Sequence, residues 1–553
     1  MHFAPRAQRL ASLEANHFDL LVIGGGITGA AVARDAAVRG LSVAIVERGD
    51  WASGTSWRSS KLVHGGLRYL KSGNLRLVFE SLTERARLLR LAPHLVQPTD
   101  FLFPGYPRRG FSPFDLELGL TAYDLLALGR SPRWHRGLSR EAVVRREKLL
   151  ESPDLSGGAL YSDARTDDSR LTLENVIDAA RLGATALTQI EVDGLAKDEA
   201  GNVCGVRARD RESERNLTVR ARVVVNAAGP WGDSVRCLDE PGIPPVLRLS
   251  RGAHLTVPAS RLPARETIAF PMDDGRLLFA IPYGAVTLLG TTEQDHRGSV
   301  DQVSASAQDV RYILDAARLT FPTAALSQAD VVSTFAGLRP LVRQLGRNLT
   351  ETSREEAILV SEGGLVTVTG GKLTTHRRIG EKAVNRIASL LALRGVQVRP
   401  SGTRRRSFPG VPPSPMAEFV MSLSEFAAQE NPGLSEETVA HLARRYGGWA
   451  LQVIGLTVEN RSLGRPLCPG LPDIDAEVVF AARNEDARCV SDVLMRRTHL
   501  FWQAPDQGIE ALERVADLLA GELEWSKDRT RVSTDEYVRE VERSFQWKSD
   551  SDK

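Results

Sequence analysis

A chain of 553 residues exceeds what one hydrophobic core organises, because single cores stop growing near ~250–300 residues, so two or three domains are expected. Apolar residues at 42% and charged residues at 25% are those of an ordinary folded protein and exclude wholesale disorder or a fibrous repeat. With 71 basic residues against 69 acidic ones, a net charge of +2, charge gives no basis for a nucleic-acid partner, and none is expected. Cys204, Cys237, Cys468 and Cys489 are scattered without C-x-x-C spacing, which fits a reducing compartment and predicts no metal site. The opening MHFAPRAQRLASLEANHF has neither the apolar stretch nor the cleavage site of a secretory signal. No apolar run approaches the ~20 residues a spanning helix needs. Peripheral membrane attachment is left open.

The first predicted element is a buried strand, Asp19 to Ile23 (DLLVI), followed by GGGITG and the Ala-rich helical stretch AAVARDAAVRG, which ends at Gly40. In Gly24-x-Gly26-x-x-Gly29 the first glycine permits a tight turn, the second lets backbone approach a pyrophosphate, and the third allows close helix packing. Ile27 and Thr28 open the helix whose N-terminus faces the phosphates. A second strand, LSVAIVE, ends at Glu47, 23 residues after Gly24, near the ~20 expected for the acid that binds a ribose hydroxyl. This is a dinucleotide site, and the motif by itself does not choose between NAD and FAD.

The next segment, GTSWRSSKLVHGGLRYL (Gly54 to Leu70), packs hydroxyls, glycines and one histidine with little periodicity, as a ligand-wrapping loop does. It resembles the FAD-binding loop of the membrane-associated, FAD-dependent glycerol-3-phosphate dehydrogenases, flavoproteins of the D-amino-acid-oxidase type of fold. Matching segments recur in that family's order: YSDARTDDSRLTLENV, VVNAAGPWGDSV, RGAHLTVP, IPYGAVTLLGTTEQD, FAGLRPL and TGGKLTTHRRIGEKA, covering about residues 18 to 395. EETVAHLARRYG and ARNEDARCVSDVLMRRTHL extend the likeness to that family's helical C-terminal domain. Residues 1–17 and the stretch after about 525 depart from it and are expected to be disordered.

The resemblance implies an α/β fold: a discontinuous Rossmann-type FAD domain (about 18–75, 155–235 and 335–395), an inserted substrate domain with a mixed sheet (about 76–154 and 236–334), and an all-α domain over 416–545. The Pro-rich SFPGVPPSP (Ser407 to Pro415) cannot continue a helix and marks the linker before the last of these. It also implies FAD as cofactor, held beyond the fingerprint by Thr55, Ser60, Lys61, Leu62, His64, Gly65, Gly66, Ala228, Gly229, Trp231, Gly371, Lys372, Leu373 and Thr374. GGKLTT is no Walker A loop, because Val366 stands where a phosphate loop needs glycine and Leu373 where it needs Ser or Thr.

The implied reaction oxidises sn-glycerol 3-phosphate to dihydroxyacetone phosphate and needs a hydride acceptor, a base and a cationic phosphate cradle. Arg339 and Arg354 are assigned mainly to phosphate, with Arg68 and Tyr69 assisting and Lys372 near the alcohol. For Arg354 the alternative is an ion pair with Glu355 or Glu356. His64 and His254 are the candidate bases, His64 slightly preferred. Each also has an ordinary reading, as a backbone cap or a satisfied core residue. Electrons would pass to a membrane quinone. Phe114 to Arg140, with Tyr123, Trp134, Arg130, Arg133, Arg136 and Arg140, suits an anionic membrane surface. The expected location is therefore cytoplasmic, at the inner face of the membrane, with homodimerisation left open. The alternatives are an oxidase that uses dioxygen, an amine or amino-acid oxidase of the same fold, or a non-catalytic flavin-binding protein.

Overall fold

The computed structural model describes residues 2–71, 73–150, 152–272, 274–343 and 355–549, without the side chains of Arg68 and Lys71. Among them, eight strands form one sheet and ten another. The first is built around His17–Ile23, which lies parallel to both Val43–Val46 and Arg215–Asn226. Thr185–Leu187 extends the parallel core on one side and Val366–Gly370 on the other. A strand buried on both faces reads as a continuous apolar run rather than an alternating one, and Leu20, Leu21 and Val22 are accordingly inaccessible to solvent. Helices Ile27–Val38, Asp168–Arg181 and His376–Ala392 pack against this sheet and one another. Alanines at 30, 31, 33, 36 and 37 allow the first helix to approach closely.

The second sheet is mostly antiparallel. Towards one edge Leu247–Pro258 pairs with both Ser333–Val342 and Val286–Gly290, and towards the other Val96–Gly105 pairs with Gly157–Thr166. This membership differs from the sequence boundaries at 155 and 335, which placed Gly157–Thr166 and Ser333–Val342 with the cofactor domain. Strand membership is fixed by the long-range register, Val96↔Thr166 through Gly105↔Gly157 and Leu247↔Val342 through Thr256↔Ser333, and nothing local in either segment encodes it.

The C-terminal region is helical as expected, with Met416–Glu430, Glu436–Tyr446, Ala450–Glu459, Asp475–Asn484, Leu512–Leu523 and Lys527–Ser544. It is not a detached unit. Phe419, Leu442 and Phe480 share a core with the first sheet's helices, while Leu494, Trp502 and Tyr537 share another with Trp57 and Phe335. Buried Arg–carboxylate pairs cross the same seam: Arg9–Asp486, Arg170–Glu485, and both Arg496 and Arg497 with Asp50.

Residues 2–17 and 525–549, in stretches expected to be disordered, are ordered. Arg6–Ala15 is a helix whose Arg9 donates to Asp486 at 2.7 and 3.0 Å. At the other end Trp547 is fully buried in the core of the second sheet. Burial of a charged pair and of an indole supplies the anchoring that free termini lack.

Candidate active site

A cavity of about 680 Å³ lies between the two sheets, within the ~300–1,000 Å³ span of ligand pockets. At one end it is walled by the turn after His17–Ile23. Gly24 has φ +107°, and a Cβ there would come within 2.7 Å of the Ala227 carbonyl oxygen; a Cβ on Gly29 would meet the Gly24 oxygen at 1.9 Å. Only glycine fits either place. Gly26, Ile27 and Thr28 line the cavity at the helix start, where unsatisfied N–H groups gather. Ser56 Oγ accepts from Ile27 N at 2.9 Å. Glu47, at the end of the second strand, accepts from Gly25 N at 2.6 Å and from Gly49 N at 2.8 Å. Burial pushes its carboxyl above the usual range, against the pull of those two amides. A glycine cradle that no Cβ could share, a helix start and an acid beside it together fit a bound dinucleotide.

The other end is made by side chains. His254 is buried, stacks on Phe335 with ring centroids 5.2 Å apart, and places Nε2 2.8 Å from Ser60 Oγ. Burial, then the charges of Arg339 and Lys61, hold its pKa well below the usual histidine range, so it is neutral at physiological pH. Arg339 donates to Thr291 Oγ1 at 2.8 Å and to the Thr292 carbonyl at 3.3 Å. Its guanidinium occupies the space over Gly252, where a Cβ would come within 2.3 Å of Nη2. Lys372 Nζ lies 3.9 Å from the centroid of the Tyr69 ring and donates to Ser81 Oγ at 3.3 Å. His64 also lines this end, its ring edge-on to Phe279 and its backbone N donating to Thr374 Oγ1 at 3.2 Å.

Comparison with known proteins places the chain in a family. The family described as FAD dependent oxidoreductase matches residues 19–377, and the C-terminal domain of alpha-glycerophosphate oxidase matches 410–530. The aerobic glycerol-3-phosphate dehydrogenase of Staphylococcus saprophyticus is 32% identical over 542 residues, covering 97% of this chain and 96% of that protein. The glycerol-3-phosphate dehydrogenase of Synechocystis is 34% identical over 547 residues, covering 95% and 97%. The chain belongs to the FAD-dependent glycerol-3-phosphate dehydrogenases. The glycerol-3-phosphate dehydrogenase from Bacillus halodurans, solved with FAD, superposes with a TM-score of 0.82 at 32% identity and 98% coverage of both chains. The L-alpha-glycerophosphate oxidase from Mycoplasma pneumoniae, at 17% identity and a TM-score of 0.53, shares the fold over 71% of this chain.

Against that family membership, the expected site residues divide cleanly by position. Thr55, Ser60, Leu62, Gly66, Ala228, Gly229, Trp231, Gly371, Leu373 and Thr374 line the cavity, as do Glu47, His64, Tyr69, His254, Arg339 and Lys372. Three do not. The Lys61 side chain is fully buried elsewhere, donating to Asp168 Oδ1 at 2.7 Å and to the Trp57 carbonyl among the rings of Trp57, Phe335 and Trp502. It holds the loop from behind. Gly65 packs against Tyr123, donating to its hydroxyl at 2.8 Å, and a Cβ would sit 2.3 Å from that oxygen. Gly29 serves helix packing, as its spacing predicts. The Arg68 side chain and Arg354 lie outside the described residues.

Other lining residues escaped the sequence reading. Ser56 and Ser59 stand in the quoted loop but were indistinguishable from its other hydroxyls. Arg58, in the same loop, lines the cavity, and burial pushes it down to about 10. Thr291, which orients Arg339, stands in the quoted IPYGAVTLLGTTEQD segment, where nothing local marked it as a partner of that arginine.

Proposed function

We infer that the protein oxidises sn-glycerol 3-phosphate to dihydroxyacetone phosphate, with FAD as the hydride acceptor and a membrane quinone as the onward electron acceptor. The observation that carries this reading is a single cavity that joins the Gly24–Glu47 end to the Arg339–Lys372 end. FAD, when bound, takes the hydride from C2 of the substrate. Gly24, Gly26, Ile27, Thr28 and Glu47 would hold its ADP part, and the Ser60–Gly66 and Gly371–Thr374 segments its flavin part. Arg339, oriented by Thr291 and Thr292, presents a planar fork suited to phosphate oxygens. Lys372 stands over Tyr69 as a point charge beside the reacting alcohol. His64 and His254 are the two candidate proton acceptors in the wall, and His254, held neutral, has the Ser60 hydroxyl at its Nε2.

The acceptor reading rests on a surface. On helix Pro113–Ala127 one face is buried through Leu116, Leu120 and Tyr123, while Phe114 (75% exposed), Leu118 (65%) and Leu125 (58%) face outward. Leu128 and Trp134, next along the chain, are also exposed, and Arg130, Arg133 and Arg136 lie nearby in the chain. Apolar anchors rimmed by arginine fit an anionic lipid surface at the inner face of the membrane, where a quinone is reached. Among the described residues no helix is long and apolar enough to span a bilayer.

The test is anaerobic addition of glycerol 3-phosphate to the flavin-loaded protein. Rapid bleaching of flavin absorbance is expected, with faster recovery on adding a soluble quinone than on admitting air. Absence of bleaching would overturn the dehydrogenase reading, and faster recovery in air would make the protein an oxidase.

A further inference from the structure

The helical C-terminal domain contributes no side chain to the cavity wall, yet it reaches the loop that forms that wall. Asp50 lies three residues beyond Glu47, in the segment that leads to Thr55–Trp57. Its carboxylate is fully buried between two adjacent arginines of the C-terminal domain. Arg496 Nε donates to Oδ2 at 2.6 Å, while Arg497 donates through Nη1 to Oδ2 at 2.7 Å and through Nη2 to Oδ1 at 2.8 Å.

Each arginine is itself held. Arg496 Nη2 donates to Asp492 Oδ1 at 2.6 Å, and Arg497 Nη2 to the Glu485 carbonyl at 2.9 Å. The segment carrying them, Asp492–Arg497, is a π-helix, a rare wide turn that recurs at functional sites. Burial by itself would raise the Asp50 pKa, but Arg497 and Arg496 more than reverse this and keep the group ionised.

On its other side the Asp50 loop grips the fingerprint. The Trp51 ring lies where a Cβ of Gly25 would be 2.4 Å from Cε3, and Ala52 N donates to the Gly25 carbonyl at 3.1 Å. Ser53 N donates to the Asp50 carbonyl at 3.0 Å, and Ser53 lines the cavity. One short run of chain thus touches Arg496 and Arg497 on one face and the glycine turn on the other.

We propose that the Arg496–Arg497 clamp on Asp50 holds the Glu47–Ser56 loop in the shape that retains FAD, making the C-terminal helical domain part of the cofactor-binding machinery. The inference rests on the reading that FAD fills the cavity. Asp50, Arg496 and Arg497 are positioning residues, since they touch the loop and not the ligand site. The seam also offers an internal control: Arg9–Asp486 is likewise buried and joins the N-terminal helix to the C-terminal domain, and its hydrogen bonds run to Ala4, Ala186 and Thr188 rather than to this loop.

The experiment measures the rate of FAD release from holoprotein mixed with an apoflavoprotein trap, alongside thermal melting, for the wild type, Asp50→Asn, Arg497→Lys and Arg9→Met. Asp50→Asn is expected to release FAD about ten-fold faster or more, the scale of one lost charge-assisted contact. Arg497→Lys keeps the charge but loses the fork, and should fall between Asp50→Asn and wild type. Arg9→Met should melt at a lower temperature yet release FAD at the wild-type rate. Should Asp50→Asn fail to fold, Arg497→Lys decides. Wild-type release rates in the clamp variants, or equal acceleration in Arg9→Met, would overturn the proposal. If the freshly purified wild type yields no FAD at all, it is the cofactor reading that falls.

Discussion

At the parallel sheet the cavity wall is largely main chain, with Gly24, Gly26 and the start of the Ile27–Val38 helix and one acid, Glu47, beside them. At the antiparallel sheet it is side chain: His254 and Arg339 project from neighbouring strands, with Thr291 steadying the guanidinium. On the proposed reading the first surface would recognise a ligand by letting backbone come close, through residues that lack side-chain bulk, and the second by charge and proton affinity, through what its side chains carry. Changes at the two should therefore fail in different ways.

The largest effect is expected where backbone contact is closest. Gly29→Ala drives a methyl to 1.9 Å from the Gly24 oxygen, and overpacking of that kind costs ~1–3 kcal/mol or more. It should be purified without flavin and melt early. Gly26→Ala meets only Ser56 Oγ, at 3.2 Å, so it should melt like wild type while binding FAD more weakly. If both variants melt alike, the division between packing glycine and ligand glycine is wrong.

A smaller loss is expected at the antiparallel end. Arg339→Ala should lower kcat/KM by roughly ten- to a few hundred-fold, the scale of one charge-assisted hydrogen bond. The loss should fall mainly on KM, and Arg339→Lys should also be impaired because a point charge does not reproduce the fork. Lys372→Ala should act more on kcat. Both should keep wild-type FAD content and melting temperature. Loss of flavin in either would show that the two ends are not separable.

The subtlest effect lies in pH. His254 in the fold has a pKa well below its unfolded value of ~6.5. As pH falls through that unfolded value the unfolded chain takes up a proton that the folded one refuses. The stability contributed by the neutral residue is therefore full above about 6.5 and is lost below it. His254→Asn should flatten this acid-side loss in melting temperature. If His254 is also the base, kcat/KM should stay level through pH 6.5 and fall only well below it. A limb near 6.5 would remove His254 from that role.

The parallel half of this site was legible because its requirements are local: Gly24, Gly26, Gly29 and Glu47 stand at spacings that backbone geometry imposes. The antiparallel half was not readable residue by residue, since Ser60, His254, Thr291 and Arg339 meet only through register across hundreds of positions. It was reached through motif resemblance, which names segments without orienting side chains. Lys61 shows the limit, because in Ser59-Ser60-Lys61-Leu62 no local signal says that Ser60 faces the cavity and Lys61 the Asp168 carboxylate. The ends were misjudged for the same reason. Arg9 and Trp547 look like surface composition until Asp486 and the second sheet's core are brought to them.

The Arg9–Asp486 contact spans 477 positions of chain, and this gives the molecule a timetable. At ~5–20 residues synthesised per second, the first helix waits roughly 25–95 s on the ribosome before its partner is made. For roughly the first 10–40 s of that interval the central strand His17–Ile23 also lacks Arg215–Asn226, its neighbour on one side. The half that is translated first is thus joined to the C-terminal domain only near the end of synthesis.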